Sequence, residues 1–243
     1  MQPLAFSKEL LPVGTRTEVH ASGIVERPRA VSEYLLERMI RAGATRLCFV
    51  ISPGKSDILE YYGASFNGVP IVYVVQPAAA GLCDAIFCAA PVIGPQTIHD
   101  EDNNEEILLG LPDTVWFPED GLALLPSGTL AFLLFPVDRP QLFDAVILDQ
   151  HGTVLHIDVK QPEPASSLVW GAVRMPAVVF NALRALWQTP ERRDEYLGTL
   201  VNAWLAAGGQ AVGIAAGTHY VDTGTPHGFR EALRLLDDRN GTR

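Results

Sequence analysis

Three charged side chains, far apart along the chain, are of the types that handle phosphate. Lys8 lies in a loop bounded by Pro3 and Pro12. A stiff backbone presents its ammonium in a fixed place, and a pre-placed cation is what phosphoryl transfer uses. Read alone, the same pattern also describes an exposed loop lysine. Asp113 ends the apolar run Ile107-Leu108-Leu109-Gly110-Leu111-Pro112, and in open α/β sheets ligands gather beyond the carboxyl ends of strands. An Asp before Thr114 equally suits a turn or a cap. Asp222 stands in Tyr220-Val221-Asp222-Thr223-Gly224-Thr225-Pro226. Two carboxylates brought together from distant segments can hold one hard cation while leaving positions for water and phosphate oxygens; alone, the motif is a turn ahead of a helix. Gln76, in Gln76-Pro77-Ala78-Ala79-Ala80-Gly81-Leu82, offers a hydrogen-bond donor and an acceptor together. Gln-Pro followed by Gly81 is also an ordinary strand-to-helix loop.

These groups need elements to place them. After an opening loop, Val31, Leu35, Leu36, Met39 and Ile40 fall on one helical face that closes at Gly43, ahead of a buried strand at 46–51. The pattern continues with a helix at 56–62, a strand at 69–75, a helix at 81–90 and a strand at 106–111, and such alternation implies a parallel sheet covered on both faces. Residues 95–106 are polar and acidic and predict a solvated loop; Asp100-x-Asp102 there lacks the strand-end setting of a metal motif. Further on, strands at 145–148 and 154–159 flank the turn Asp149-Gln150-His151-Gly152, and a strand follows at 168–175. Helices are predicted at 176–187, with Pro176 at the first helical position, and at 192–207, ending at Gly208-Gly209. A strand at 210–215, a loop through Asp222 and a helix at 226–236 complete the order.

Composition narrows the function. A chain of 243 residues, 48% of them hydrophobic, is long enough for one well-buried domain. Its apolar runs are strand-length, far short of a bilayer span, and the start lacks the pattern of a secretory signal; a cytoplasmic protein with no membrane contact is expected. Cys48, Cys83 and Cys88 have neither an even count nor zinc-type pairing and read as reduced, buried thiols. The net charge of −10 disfavours nucleic-acid binding but leaves room for a small anionic ligand held by a divalent cation and a few placed lysines. The six histidines form no hydrolase or zinc motif.

Several of these segments, in order, resemble the sugar-1-phosphate nucleotidylyltransferases, especially the glucose-1-phosphate thymidylyltransferase branch. Ser7-Lys8-Glu9-Leu10-Leu11-Pro12-Val13 resembles that family's Ser/Pro-Lys-x-Leu-Leu-Pro-Val signature, Gln76 to Gly81 its Gln-Pro-x-x-x-Gly-Leu, Asp113 its strand ending in Gly-Asp, Lys160-Gln161-Pro162 its Glu-Lys-Pro, Trp170-Gly171 its small-residue-then-Gly step, and Tyr220 to Pro226 its Trp/Tyr-x-Asp-x-Gly-Thr-Pro. The resemblance implies a Rossmann-like three-layer α/β/α sandwich, the nucleotide-diphospho-sugar transferase fold, with a mixed, mostly parallel sheet. It also implies a single nucleotidyltransferase domain over residues 1–243. It assigns Lys8 to the reacting phosphates, Asp113 and Asp222 to Mg²⁺, Gln76 and Gly81 to the base, and Lys160 with Gly171 to the sugar phosphate. The implied substrates are a nucleoside triphosphate, dTTP or UTP, and a sugar-1-phosphate; assembly as a homo-oligomer is left open. Two departures stand out. Val159 replaces the Glu that reads sugar hydroxyls in the family, and the Gly-rich loop expected ahead of Leu4 is not matched, so an N-terminally truncated domain and an internal methionine at Met1 are expected. The alternative is a nucleotidyltransferase-like module that binds nucleotide, sugar phosphate or a protein partner without turnover.

Overall fold

The structure, a computed structural model, describes residues 4–20, 23–93, 105–192 and 194–240. After a 3-10 turn at Lys8–Leu10 come two antiparallel strands, β1 (Pro12–His20) and β2 (Gly23–Ala30), with Thr17 opposite Glu26 and Val19 opposite Ile24. This corrects the expectation of an opening loop. Neither face of the hairpin is continuously apolar, so the period-two hydrophobic signal is absent. Polar contacts cross the ladder instead: the Thr15 hydroxyl donates to Glu26 at 2.7 Å and Arg27 Nε lies 3.6 Å from Glu18, while Arg16 Nη1 ties β1 to the buried Glu33 at 2.7 Å.

The chain then runs through α1 (Val31–Arg41), β3 (Leu47–Ile51), α2 (Ser56–Tyr62), β4 (Ser65–Phe66), β5 (Val69–Val75), α3 (Leu82–Cys88), β6 (Glu106–Gly110), β7 (Thr114–Phe117) and β8 (Leu130–Pro136). It continues through β9 (Asp144–Leu148), β10 (Val154–Val159), β11 (Leu168–Pro176), α4 (Ala177–Trp187), α5 (Leu197–Ala206), β12 (Ala211–Ile214), β13 (His219–Asp222) and α6 (Pro226–Asn240). The turn between β9 and β10 is closed by Asp149, whose Oδ1 accepts the backbone N–H of His151 and of Thr153, both at 2.8 Å.

β8 is the axis of the main sheet, flanked by β12 and β11, and its six apolar residues are fully buried. They alternate between two cores. Leu130, Phe132 and Leu134 join the cluster with Phe180 of α4 and with Leu197, Leu200 and Val201 of α5, whereas Ala131, Leu133 and Phe135 join one with Leu35 of α1. Helices on both faces of one sheet make the expected sandwich, and a strand buried on both sides reads as a continuous apolar run.

Strand direction differs from expectation. Among the described ladders only β3 with β5 and β8 with β12 are parallel; the rest are antiparallel. β3 and β5 are joined through α2, as a parallel crossover requires, whereas β9, β10 and β11 as well as α4 and α5 separate β8 from β12. β11 arrives from the β9–β10 hairpin and runs against both β6 and β8.

Three smaller corrections have local causes. Pro176 is the N-cap of α4 and still belongs to the β11 ladder, opposite Glu106. α5 begins at Leu197, because the preceding stretch crosses over the start of α3, where Glu195 O accepts Leu82 N–H at 2.9 Å. Cys83 is buried, but Cys48 is exposed, since Leu47, Phe49 and Ile51 take the inward face of β3. No helix among the described residues is long and apolar enough to cross a membrane.

Candidate active site

The two candidate carboxylates meet through a ladder that sequence reasoning missed. β6 ends at Gly110, and a turn closed by the Thr114 hydroxyl on Leu111 O (2.8 Å) leads into β7, leaving Asp113 just before the strand. β13 lies antiparallel on β7 with Asp222 opposite Thr114. Thr223 then donates twice to Asp113 O, from its N–H at 2.9 Å and its hydroxyl at 2.8 Å. Both strands are four residues long, too short to show a period. β7 is fastened from behind by Arg38 of α1, a buried guanidinium that donates to Trp116 O and lies 4.5 Å from the Trp116 ring centroid. Burial, with Arg29 nearby, pushes Arg38 down to about 10.

The result is a pair of carboxylates facing one small space. A methyl group placed on Gly224 would lie 2.9 Å from Asp222 Oδ1 and 3.3 Å from Asp113 Oδ2. Gly224 N–H donates to Asp222 Oδ1 at 2.7 Å, the Asp-Gly turn geometry anticipated as the alternative reading. Burial above all, with Asp113 adding to it against the Gly224 N–H, raises the Asp222 carboxyl above its ordinary range. The donor set is hard oxygen, suited to a divalent cation completed by water and phosphate.

Lys8 reaches the same place, its Nζ 2.5 Å from Asp113 Oδ2. Burial by itself would lower this ammonium, but Asp113, with Glu9 and Asp222, outweighs it and holds the group above its ordinary value. Both neighbours of Lys8 are anchored. The Ser7 backbone N–H and hydroxyl each donate to Asp57 at 2.6 Å, and Glu9 pairs with Lys55 at 2.6 Å while its carbonyl accepts the Ser32 hydroxyl, also at 2.6 Å. Lys8 is thus the half-buried member of a turn pinned to α1 and α2, and Asp57, Lys55 and Ser32 carry no local signal that would have revealed this. The loop expected to be stiffened by proline is stiffened by side chains.

The other predicted residues form a second group. Gln76 follows β5, its Nε2 donating to Asp84 at 2.7 Å and to Gly81 O at 3.4 Å. Gly81 has φ +102°, and a Cβ there would lie 2.6 Å from Glu195 Cγ, so glycine is required by the approach of that chain segment. Lys160 follows β10 with φ +46°, its N–H donating to Phe143 O at 3.1 Å and its Nζ 4.4 Å from the Tyr196 ring centroid. Gly171 lies at a bulge of β11, where the register against β8 shifts between Trp170 and Ala172. A Cβ on Gly171 would meet the Tyr220 ring at 2.6 Å, so its immediate role is to admit Tyr220. That phenol is raised by burial, with Asp222, Asp113 and Asp144 adding to it, and its ring packs edge-on against Phe143, whose carbonyl accepts the Lys160 N–H.

A separate cavity, lined by Met39, Arg46, Ile86, Glu105 and Phe180 among others, holds none of these residues. The predicted polar loop at 95–106, with Asp100 and Asp102, lies outside the described residues apart from its last two positions.

No family model matches the chain. Curated relatives do. The glucose-1-phosphate thymidylyltransferase of Xanthomonas campestris pv. campestris is 26% identical over 238 residues, covering 95% of this chain and 74% of the relative. That of Neisseria meningitidis serogroup A is 24% identical over 242 residues, 95% of this chain and 75% of the relative. Over nearly its whole length the chain is thus similar to glucose-1-phosphate thymidylyltransferases. Solved structures agree in fold. A Bacillus anthracis structure named for a glucose-1-phosphate thymidylyltransferase, in complex with sucrose, superposes with a TM-score of 0.77 at 21% identity over 98% of this chain and 90% of that one. The UTP-bound UGPase of Acinetobacter baumannii gives 0.71 at 20% identity over 95% of this chain and 86% of that one. The loop of Lys8 and the end of β13 meet at Asp113 in the β6–β7 turn.

Proposed function

We propose that this chain joins a sugar-1-phosphate to a pyrimidine nucleoside triphosphate, dTTP or UTP, forming an NDP-sugar and pyrophosphate. A phosphate oxygen of the sugar-1-phosphate forms a bond to the α-phosphorus as the bond from that phosphorus to the β-phosphate bridging oxygen breaks. The observation that carries this reading is the convergence of Lys8, Asp113 and Asp222 from three distant segments on one space. Asp113 and Asp222 would hold Mg²⁺, which when bound neutralises charge on phosphate oxygens. Lys8, fixed by Ser7 and Glu9, exchanges part of its contact with Asp113 for the triphosphate and stabilises charge there without reorganising. Gln76, at the entry to α3, reads the base, and Lys160 fixes the sugar phosphate, so that catalysis is chiefly positioning and charge stabilisation. The single domain acts in the cytoplasm on small soluble substrates.

The test is pyrophosphate release by the purified chain with Mg²⁺, each nucleoside triphosphate and a panel of sugar-1-phosphates. Turnover with a pyrimidine triphosphate is expected, and Asp113→Ala and Asp222→Ala should each lower kcat by about 10²-fold or more while circular dichroism stays unchanged. A folded protein that binds these ligands yet turns over no pair would overturn the enzymatic reading in favour of a binding module.

A further inference from the structure

Asp144 is a carboxylate that none of the roles above uses. It opens β9 and lies directly opposite Val159 of β10, so the two side chains share one face of the sheet. That face is apolar: Val146 of β9 itself, with Ile157 and Trp170 on the neighbouring strands, belongs to the core beneath α5. Placing a carboxylate there is costly unless it is paired. Among the described residues no ion pair is formed with it. Its contacts are the Trp170 indole Nε1 at 3.4 Å and the backbone N–H of Gly198, with the Lys160 charge nearby. A Cβ on Gly198 would lie 3.0 Å from Asp144 Oδ2 and 2.8 Å from Val159 Cγ2, so glycine at the start of α5 keeps this space narrow but open. Two long-range or weak donors leave most of the acceptor capacity of a carboxylate unused. Around it stand an indole, the Lys160 ammonium stacked on Tyr196, and the Tyr220 ring that leads back to Asp113 and Asp222.

An acceptor with spare capacity, an aromatic surface and a nearby cation are the groups that read a phosphorylated sugar: hydroxyls to the carboxylate, ring faces to the indole, phosphate to the ammonium. Val159, where the family resemblance expects a carboxylate, is the residue across the ladder. We propose that Asp144 is the sugar-reading carboxylate of this chain, moved from the β10 position to its cross-strand partner on β9, and that it sets selectivity among sugar-1-phosphates. This rests on the function proposed above.

The experiment measures KM for sugar-1-phosphate and for the nucleoside triphosphate separately, in the parent chain, in Asp144→Asn and in the double variant Asp144→Gly with Val159→Glu, using sugar-1-phosphates that differ at single hydroxyls. Asp144→Asn should raise the sugar-1-phosphate KM by about tenfold or more, unevenly across the panel, with the triphosphate KM unchanged; the double variant should recover most of the loss for at least one sugar. Equal loss for all sugars, or a fall in melting temperature with both KM values unchanged, would show that Asp144 only anchors α5 and would overturn the proposal. If the parent chain shows no turnover, titration with a sugar-1-phosphate against inorganic phosphate decides. A sugar-dependent preference that Asp144→Asn abolishes sustains Asp144 while the enzymatic reading fails, and no such preference sinks both.

Discussion

Asp222 has to keep a charge where the fold makes charge expensive. Its carboxyl is raised by burial first and by Asp113 next, so the native chain holds this proton to higher pH than the unfolded chain does. Between the ordinary aspartate range and the raised native value the native state binds more protons, and stability therefore falls as pH increases through that window. Asp222→Asn removes the penalty. We expect its melting temperature at pH 7 to exceed the parent's by about 2–4 °C for each kcal/mol recovered, with a shallower loss of stability from pH 4 to 7, while turnover disappears. Calorimetry across that range checks it; a variant less stable than the parent at pH 7 would mean that the Asp222 bond to Gly224 N–H outweighs desolvation. Lys8 is the complement. Its ammonium is favoured by the carboxylates that lose stability by repelling each other, which ties the two effects to one site.

At the scale of elements, the site depends on short segments held by other segments. The crossing of the stretch before α5 over the first turn of α3 is the clearest case, because Glu195 O accepts the N–H groups of Leu82 and Cys83 at 2.9 and 3.2 Å and Gly81 leaves no room for a side chain beneath Glu195. Gly81→Ala combines a disfavoured positive φ with a collision against chain that is itself anchored, and should cost about 1–3 kcal/mol. The loop that carries Gln76 would shift with it. Denaturant unfolding together with the triphosphate KM tests this: both are expected to worsen, and an unchanged midpoint would show that the 194–196 segment yields freely. Much of this level was readable from sequence, since α2 and β5 fall where the periodicity puts them. β7 and β13 were not, because four-residue strands pair by position and carry too few residues for a pattern.

For the whole molecule, charge is the property that matters. A chain with net charge −10 that gathers two carboxylates at one point is relieved by a cation, and anything that binds the native state alone stabilises it, by about 2.7 kcal/mol at a hundredfold excess over Kd. Millimolar Mg²⁺ is expected to raise the melting temperature beyond what NaCl of equal ionic strength does, since salt screens all surface charges alike, and chelation should reverse the gain. Asp113→Asn and Asp222→Asn should abolish the specific part. Equal responses to Mg²⁺ and NaCl in the parent chain would count against a cation site at the β7–β13 ladder.

Sequence alone determined the alternation of helices and strands, the sandwich, and the identity of Lys8, Asp113, Asp222, Gln76, Gly81 and Lys160 as the residues to watch, because runs of a dozen residues carry a hydrophobic period and the motifs stand in a recognisable order. It could not determine strand direction, which follows from where connections cross the sheet, nor the hairpin of β1 and β2, whose strands carry polar cross-strand contacts and no apolar face. Only the tertiary structure decided that Asp57, Ser32 and Lys55 present Lys8, that Gly171 makes way for Tyr220, and that Asp144 stands across from Val159. Each of these is a contact between residues far apart in the chain. Local sequence pattern reflects which face of a segment is buried, whereas the identity of the neighbour against that face is settled only when the elements pack.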